Sequence, residues 1–221
     1  MIQRRRFITI VQRVSMVGAL CAAPLAYGET LDRIAITVGR HVISEQEILQ
    51  DIRLSAFIDS KQPDFSAEQK RRAADRLIDQ YLVLQDAAST RTPMPSAADI
   101  SAMLTPIKAR YASDEEYRSA LLKARITDAE LAEHLLAGLR MLRYTDLRFR
   151  PEVEITDDAL HAYYDKLAAS AGNTSPRPTF KASRNDIEKL LTDQQTMQAL
   201  DRWLSTARGD TAVVYHEAAF K

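Results

Sequence analysis

Cysteine is nearly missing from this sequence: Cys21 is the single one among 221 residues. It lies in the N-terminal stretch, so the remainder has neither disulfides nor thiolate chemistry and must be stable through packing alone. Glycine is scarce as well, with six in all. After residue 28 only Gly39, Gly138, Gly172 and Gly209 remain. No phosphate-cradling glycine loop can be assembled from those four, and nucleotide use is not expected. The four histidines, His41, His134, His161 and His216, fall on separate segments without metal-ligand spacing, so each is expected to be structural or solvated, and neither a metal nor a cofactor is expected. No Gly-x-Ser-x-Gly elbow surrounds any serine. Long apolar runs are also lacking; the best, Val14 to Ala23, is broken by Arg13 and Pro24 and is shorter than the ~20 residues of a membrane-spanning helix.

That stretch has the grammar of an export leader. Arg4, Arg5 and Arg6 form a basic start, Val14 to Ala23 an apolar centre, and Ala26-Tyr27-Gly28 a small-x-small cleavage site, so residues 1–28 are expected to be a removed signal peptide. Arg4-Arg5-Arg6-Phe7-Ile8 also comes close to a twin-arginine signal, and either export route fits. The full chain carries 30 basic and 30 acidic residues; without the four arginines of the leader, 26 basic face 30 acidic. A mildly acidic product argues against nucleic acid as a partner. Lys70-Arg71-Arg72 is the one short basic run and is expected to be a solvated helix face.

What remains is mostly helical. Ile34, Ile36 and Val38 alternate as one face of a strand that turns at Gly39-Arg40-His41 into Val42-Ile43. Helix-start signals then recur: Ser44 with Glu47, Ser66 with Gln69, Ser96 with Asp99, Ser113 with Glu116, and Thr127 with Glu130. They predict separate helices, the second over about Ala67 to Ala88, a short one disturbed near Pro106, one over Asp114 to Lys123, and the longest from Asp128 to about Arg148. Gly138 within that last helix, at ~1 kcal/mol below alanine, suggests close approach of another backbone. Pro151 ends it, and Thr156-Asp157-Asp158 opens the next. Ser170 to Pro178 has linker composition; the final helix runs from about Asn185 to Ala207 with Gly209 as its cap, followed by a strand within Thr211 to Glu217. A lone strand cannot satisfy its backbone, so the last strand is expected to pair with the first. The fold expected is mainly α, a multi-helix body with a small antiparallel β element joining the N- and C-terminal strands. Glu115-Glu116 and Asp157-Asp158 sit in first helical turns and need no catalytic explanation.

Asp32 to Ile48, Arg76 to Ala87, Val153 to Leu167 and Asp186 to Glu217 together resemble, in order and spacing, the chaperone core of the SurA/PrsA family. The resemblance implies a helical chaperone region over 29–169 and a C-terminal helix and strand over 184–221 that complete it. Between them the family carries prolyl-isomerase domains of parvulin type. Here only a linker, 170–183, stands in that place, far short of the roughly hundred residues such a domain needs, so enzyme activity is not expected. The resemblance implies a periplasmic, ATP-independent holdase for unfolded polypeptides, outer-membrane proteins in transit among them. A non-catalytic adapter subunit of an envelope complex is the alternative, and a peptidyl-prolyl isomerase a weaker one. Tyr81, Leu135, Leu139, Met141 and Tyr164, on wide-faced helices, are the candidate peptide-binding residues.

Overall fold

The computed structural model describes residues 32–90, 92–170 and 179–221. The expected leader lies outside the described residues, as does most of the expected linker. Strand β1 (Ile34–Val38) turns at Gly39, whose φ of 59° suits glycine, into β2 (His41–Ser44). The chain's last strand, β3 (Val213–Tyr215), pairs antiparallel with the other side of β1, giving the order β2-β1-β3. The expected union of the two chain ends is therefore present. One detail differs. The register shifts between Ile34 and Ile36, so Ala35 and Ile36 are both buried while Ile34 is 47% exposed instead of sharing the inner face.

The helices among the described residues are α1 (Glu45–Ile58), α2 (Ala67–Ser89), α3 (Ala97–Lys108), α4 (Asp114–Ala124), α5 (Asp128–Phe149), α6 (Asp157–Ser170) and α7 (Phe180–Asp210). Each of the five expected start signals caps its helix, and Ser44/Glu47, Ser96/Asp99 and Thr127/Glu130 form full capping boxes. The mainly α class is as the periodicity indicates. Pro106 does not interrupt α3, which continues through it to Lys108. Gly138 is exposed with nothing within 4 Å of where a Cβ would stand, so no backbone approaches it, and the structure gives no reason for glycine there. Gly209 is not a cap; α7 continues through it to Asp210, its last turn held by Arg208, which donates to Asp79 (2.7 Å) and Asp75 (3.1 Å). At its other end α7 begins at Phe180, earlier than the apolar period indicated, because Thr179 caps it and Phe180 stacks on His161 of α6 at 3.9 Å. Arg184 with Asp157 fixes α6 and the first part of α7 as an antiparallel pair.

Two apolar clusters organise the body. The first joins β1, the early part of α1, α2, the end of α5, Leu200 and Leu204 of α7, and the 3-10 turn Glu217–Phe220, whose Ala219 and Phe220 are buried. The second joins Leu54, Ile107, Tyr117, Leu121, Ile126, Leu131 and Leu135. Helices α1 and α5 contribute to both; along α5, Leu131 and Tyr144 lie roughly 20 Å apart at the helical rise.

The basic run is a solvated face only at Arg71 and Arg72. Lys70 is only 8% exposed, and its ammonium donates to Glu45 (3.0 Å) and to the main-chain oxygens of Ala219 (3.2 Å) and Lys221 (3.3 Å). Arg71, exposed, pairs with Glu217 and lies 5.0 Å from the centre of the Phe220 ring, and Arg72, also exposed, pairs with Glu68 one turn back. Replacing Lys70 by alanine leaves a carboxylate and two carbonyls short of their donor, so urea unfolding should show a loss of about 1–3 kcal/mol; an unchanged midpoint would show that water replaces the ammonium without loss.

Candidate functional site

Between α1 and its neighbours three recesses adjoin. The largest, about 560 Å³, is lined by Ile52, Ser55, Ala56 and Ile58 of α1, by Asp59, Lys61, Gln62 and Asp64 of the α1–α2 connection, and by Gln69, Arg76 and His134. It shares Ser55, Arg76 and His134 with a smaller one of about 240 Å³ that runs on to Asp79, Gln80 and Met141. On its other side it shares Ala56, Lys61 and Gln62 with a third of about 420 Å³, walled by Phe57, Phe65, Tyr111 and α4. The three adjoin around α1 through these shared residues and are together termed the trough. Its location follows from the two clusters: α1 turns Ile48 and Ile52 toward one and Leu54 toward the other, and the surface between them is left partly uncovered.

A polar group sits at the waist of this trough. Asp51, 6% exposed, accepts from Arg76 at 2.6 Å, and the Nδ1 of His134 stands 3.9 Å from its other oxygen. Half of the Arg76 side chain remains accessible. Burial holds the His134 imidazole below its ordinary range; Asp51 opposes that shift and Arg76 adds to it. The arrangement presents guanidinium donors, and an imidazole nitrogen, to carbonyl or carboxylate groups lying in the trough. Among the described residues no group of three His, Cys, Asp or Glu side chains is placed to hold a metal ion.

The five peptide-binding candidates do not share one surface. Met141 alone lines the trough, at its narrow end. Leu135 is 6% exposed inside the second cluster and offers no face to a peptide. Tyr81 is half-buried and stacks on His41 at 4.2 Å, against the first cluster. Leu139 is half-buried on α5, and Tyr164 meets Phe180 edge-on at 5.5 Å on the α6–α7 pair. What the sequence reading missed is Asp51, Arg76 and the aromatic wall of Phe57, Phe65 and Tyr111. A signal was there: Asp51 stands at helical spacing between Ile48 and Leu54, and His134 between Leu131 and Leu135, so both are polar residues within apolar stripes.

Because His134 is held low in the folded chain, the unfolded chain takes up its proton first. Its neutral form is therefore compatible with full stability above the ordinary histidine value of about 6.5, and stability falls as the pH drops below that toward the folded value. Melting curves from pH 7 to pH 5 should fall less steeply for His134→Gln than for the parent; parallel curves would show that this histidine is not linked to folding. Compared with known families and curated proteins, the chain matches no family model and no curated protein.

Proposed function

We propose that this protein is an ATP-independent holdase chaperone of the periplasm, binding unfolded polypeptides, outer-membrane proteins in transit among them, in the trough along α1. The observation that carries this is the trough itself. Three adjoining recesses totalling several side chains in length combine aromatic and aliphatic walls with charged groups at the rim and waist, a mixed lining that accepts extended chain without demanding one sequence. The four stretches that resemble the SurA/PrsA core add support. Asp32 to Ile48 builds the β1–β2 hairpin and the start of α1, and Asp186 to Glu217 supplies most of α7 and β3, the elements that the family resemblance assigns to closing the core. Where the family inserts isomerase domains, α6 ends at Ser170 and α7 begins at Phe180. Capture and release in this reading depend on weak, exchangeable contacts and on handover to a better acceptor.

Light scattering from a chemically denatured outer-membrane protein, diluted with and without the purified protein, tests the proposal: suppression across several unrelated clients supports it. Ala56 is half-buried and lines two of the three recesses. Ala56→Phe should weaken client capture roughly tenfold, about 1.4 kcal/mol, with an unchanged melting curve. Absence of suppression would overturn the proposal. One saturable, folded envelope partner recovered by crosslinking would put the adapter in its place, and turnover of a proline peptide would put the isomerase there.

A further inference from the structure

The three recesses differ in charge, and the one beside α4 is one-sided. Arg53, Lys61, Lys123 and Arg125 line it, and no aspartate or glutamate does; Asp59 and Asp64, on the same α1–α2 connection, line the neighbouring recess instead. Arg53 lies 5.6 Å from the centre of the Phe65 ring, and Lys61 is paired with Asp59 at 3.0 Å. Lys123 and Arg125 make no ion pair among the described residues. The floor is aromatic: Phe57 and Tyr111 stack at 6.1 Å, and Phe65 is 40% exposed. Arg110 holds the rim in place, donating to the Ile58 carbonyl and to Ser60 Oγ.

The backbone here is unusual too. Ser60 and Arg125 are the non-glycine residues with left-handed backbone among the described residues, each at φ 56°, and both line this recess. Arg125 occupies the C-cap of α4, a position where glycine or asparagine would carry less strain. Arg125 nevertheless lines this cation-rich hollow, and strained backbone of this kind collects at sites of use.

We infer that this recess is the acceptor for acidic segments of client polypeptide, in which aspartate or glutamate flanks an aromatic or aliphatic residue. The inference rests on the chaperone proposal and names the class of client segment that this end of the trough selects. The apolar side chain covers the Phe57–Tyr111 floor, while the flanking carboxylates meet Lys123 and Arg125, whose attraction is strengthened by the water excluded from the floor. Nucleic acid fits less well. The chain as a whole has as many acidic as basic residues, whereas phosphate binding needs a concentrated basic surface.

Fluorescence anisotropy with three labelled peptides of equal apolar content, flanked by Asp/Glu, Asn/Gln or Lys, provides the test. The acidic peptide is expected to bind at least tenfold more tightly than the amide-flanked one at low salt, with the preference shrinking as salt is raised. Lys123→Gln combined with Arg125→Gln should abolish the preference, bringing the affinity for the acidic peptide down to that for the amide-flanked one. Arg125→Gly, which relieves the left-handed cap, should reduce the preference without lowering the melting temperature, so a folding defect in the double variant does not decide the outcome. Equal binding of acidic and amide-flanked peptides, or a preference that survives both variants, overturns the inference while the chaperone proposal stands. Binding of no peptide together with no aggregation suppression overturns both. A single-stranded oligonucleotide that outcompetes the acidic peptide also overturns it, in favour of a nucleic-acid site.

Discussion

A single ammonium group stands where the two ends of the described chain meet the helical body. Lys70 Nζ reaches from α2 to Glu45 in the first turn of α1 and to the main-chain oxygens of Ala219 and Lys221. A buried cation is costly unless it is paired and hydrogen-bonded, and here three acceptors satisfy it. Arg71 reinforces the joint through Glu217 and the Phe220 ring, and Arg33 donates to the Ala218 carbonyl at 2.8 Å. The position of the final 3-10 turn, with Ala219 and Phe220 in the first cluster, depends on these contacts, and so does the alignment of β3 on β1. The trough in turn depends on the first cluster, because the start of α1 and the end of α5 are both anchored there.

Around that joint a few tyrosine–carboxylate bonds tie helix to helix. Tyr144 of α5 donates to Asp86 of α2, Tyr117 of α4 to Asp128 at the start of α5, and Tyr215 of β3 to Asp75 of α2 at 2.7 Å. Burial and the neighbouring carboxylate push all three phenols upward, Tyr215 to about 12. They stay protonated and donating across the physiological range. Trp203 packs at the edge of the first cluster with Tyr144 and Phe149, ring centres 6.2 Å away in each case. Leu190 and Met197 are exposed, so the middle of α7 presents one apolar flank to solvent.

Features governed by neighbours within a few residues were legible in the sequence. The caps at Ser44, Ser66, Ser96, Ser113 and Thr127 are local chemistry, and the β1–β3 pairing followed from the requirement that a strand's amides find partners. Features set by distant contacts were not. Lys70-Arg71-Arg72 has the composition of a solvated run, and only the return of the chain's last residues gives Lys70 its acceptors. Ile34 obeys the alternation that a bulge then breaks. Gly209 has the residue type of a cap, but Arg208 reaching two aspartates on α2 carries the helix past it. The peptide-binding candidates were chosen as apolar residues on wide helix faces; such faces are wide because they pack on several sides, which is why Leu135 is sealed. The trough is instead lined by residues with no apolar period, such as Phe65 after Pro63, and by Asp51 and His134, which interrupt one.

The sheet order β2-β1-β3 also governs the sequence of events by which the chain acquires its shape. Thr37 and His216, bonded at 3.2 Å, are 179 positions apart, so the central strand waits for nearly the whole polypeptide before its second edge is filled. Contacts of such long separation form late and slow the search for the native state. A ribosome delivers the hairpin before the helices and its partner after them. Until that delivery is complete, the helices can form their capped turns, but the body they enclose has no lid on its first cluster.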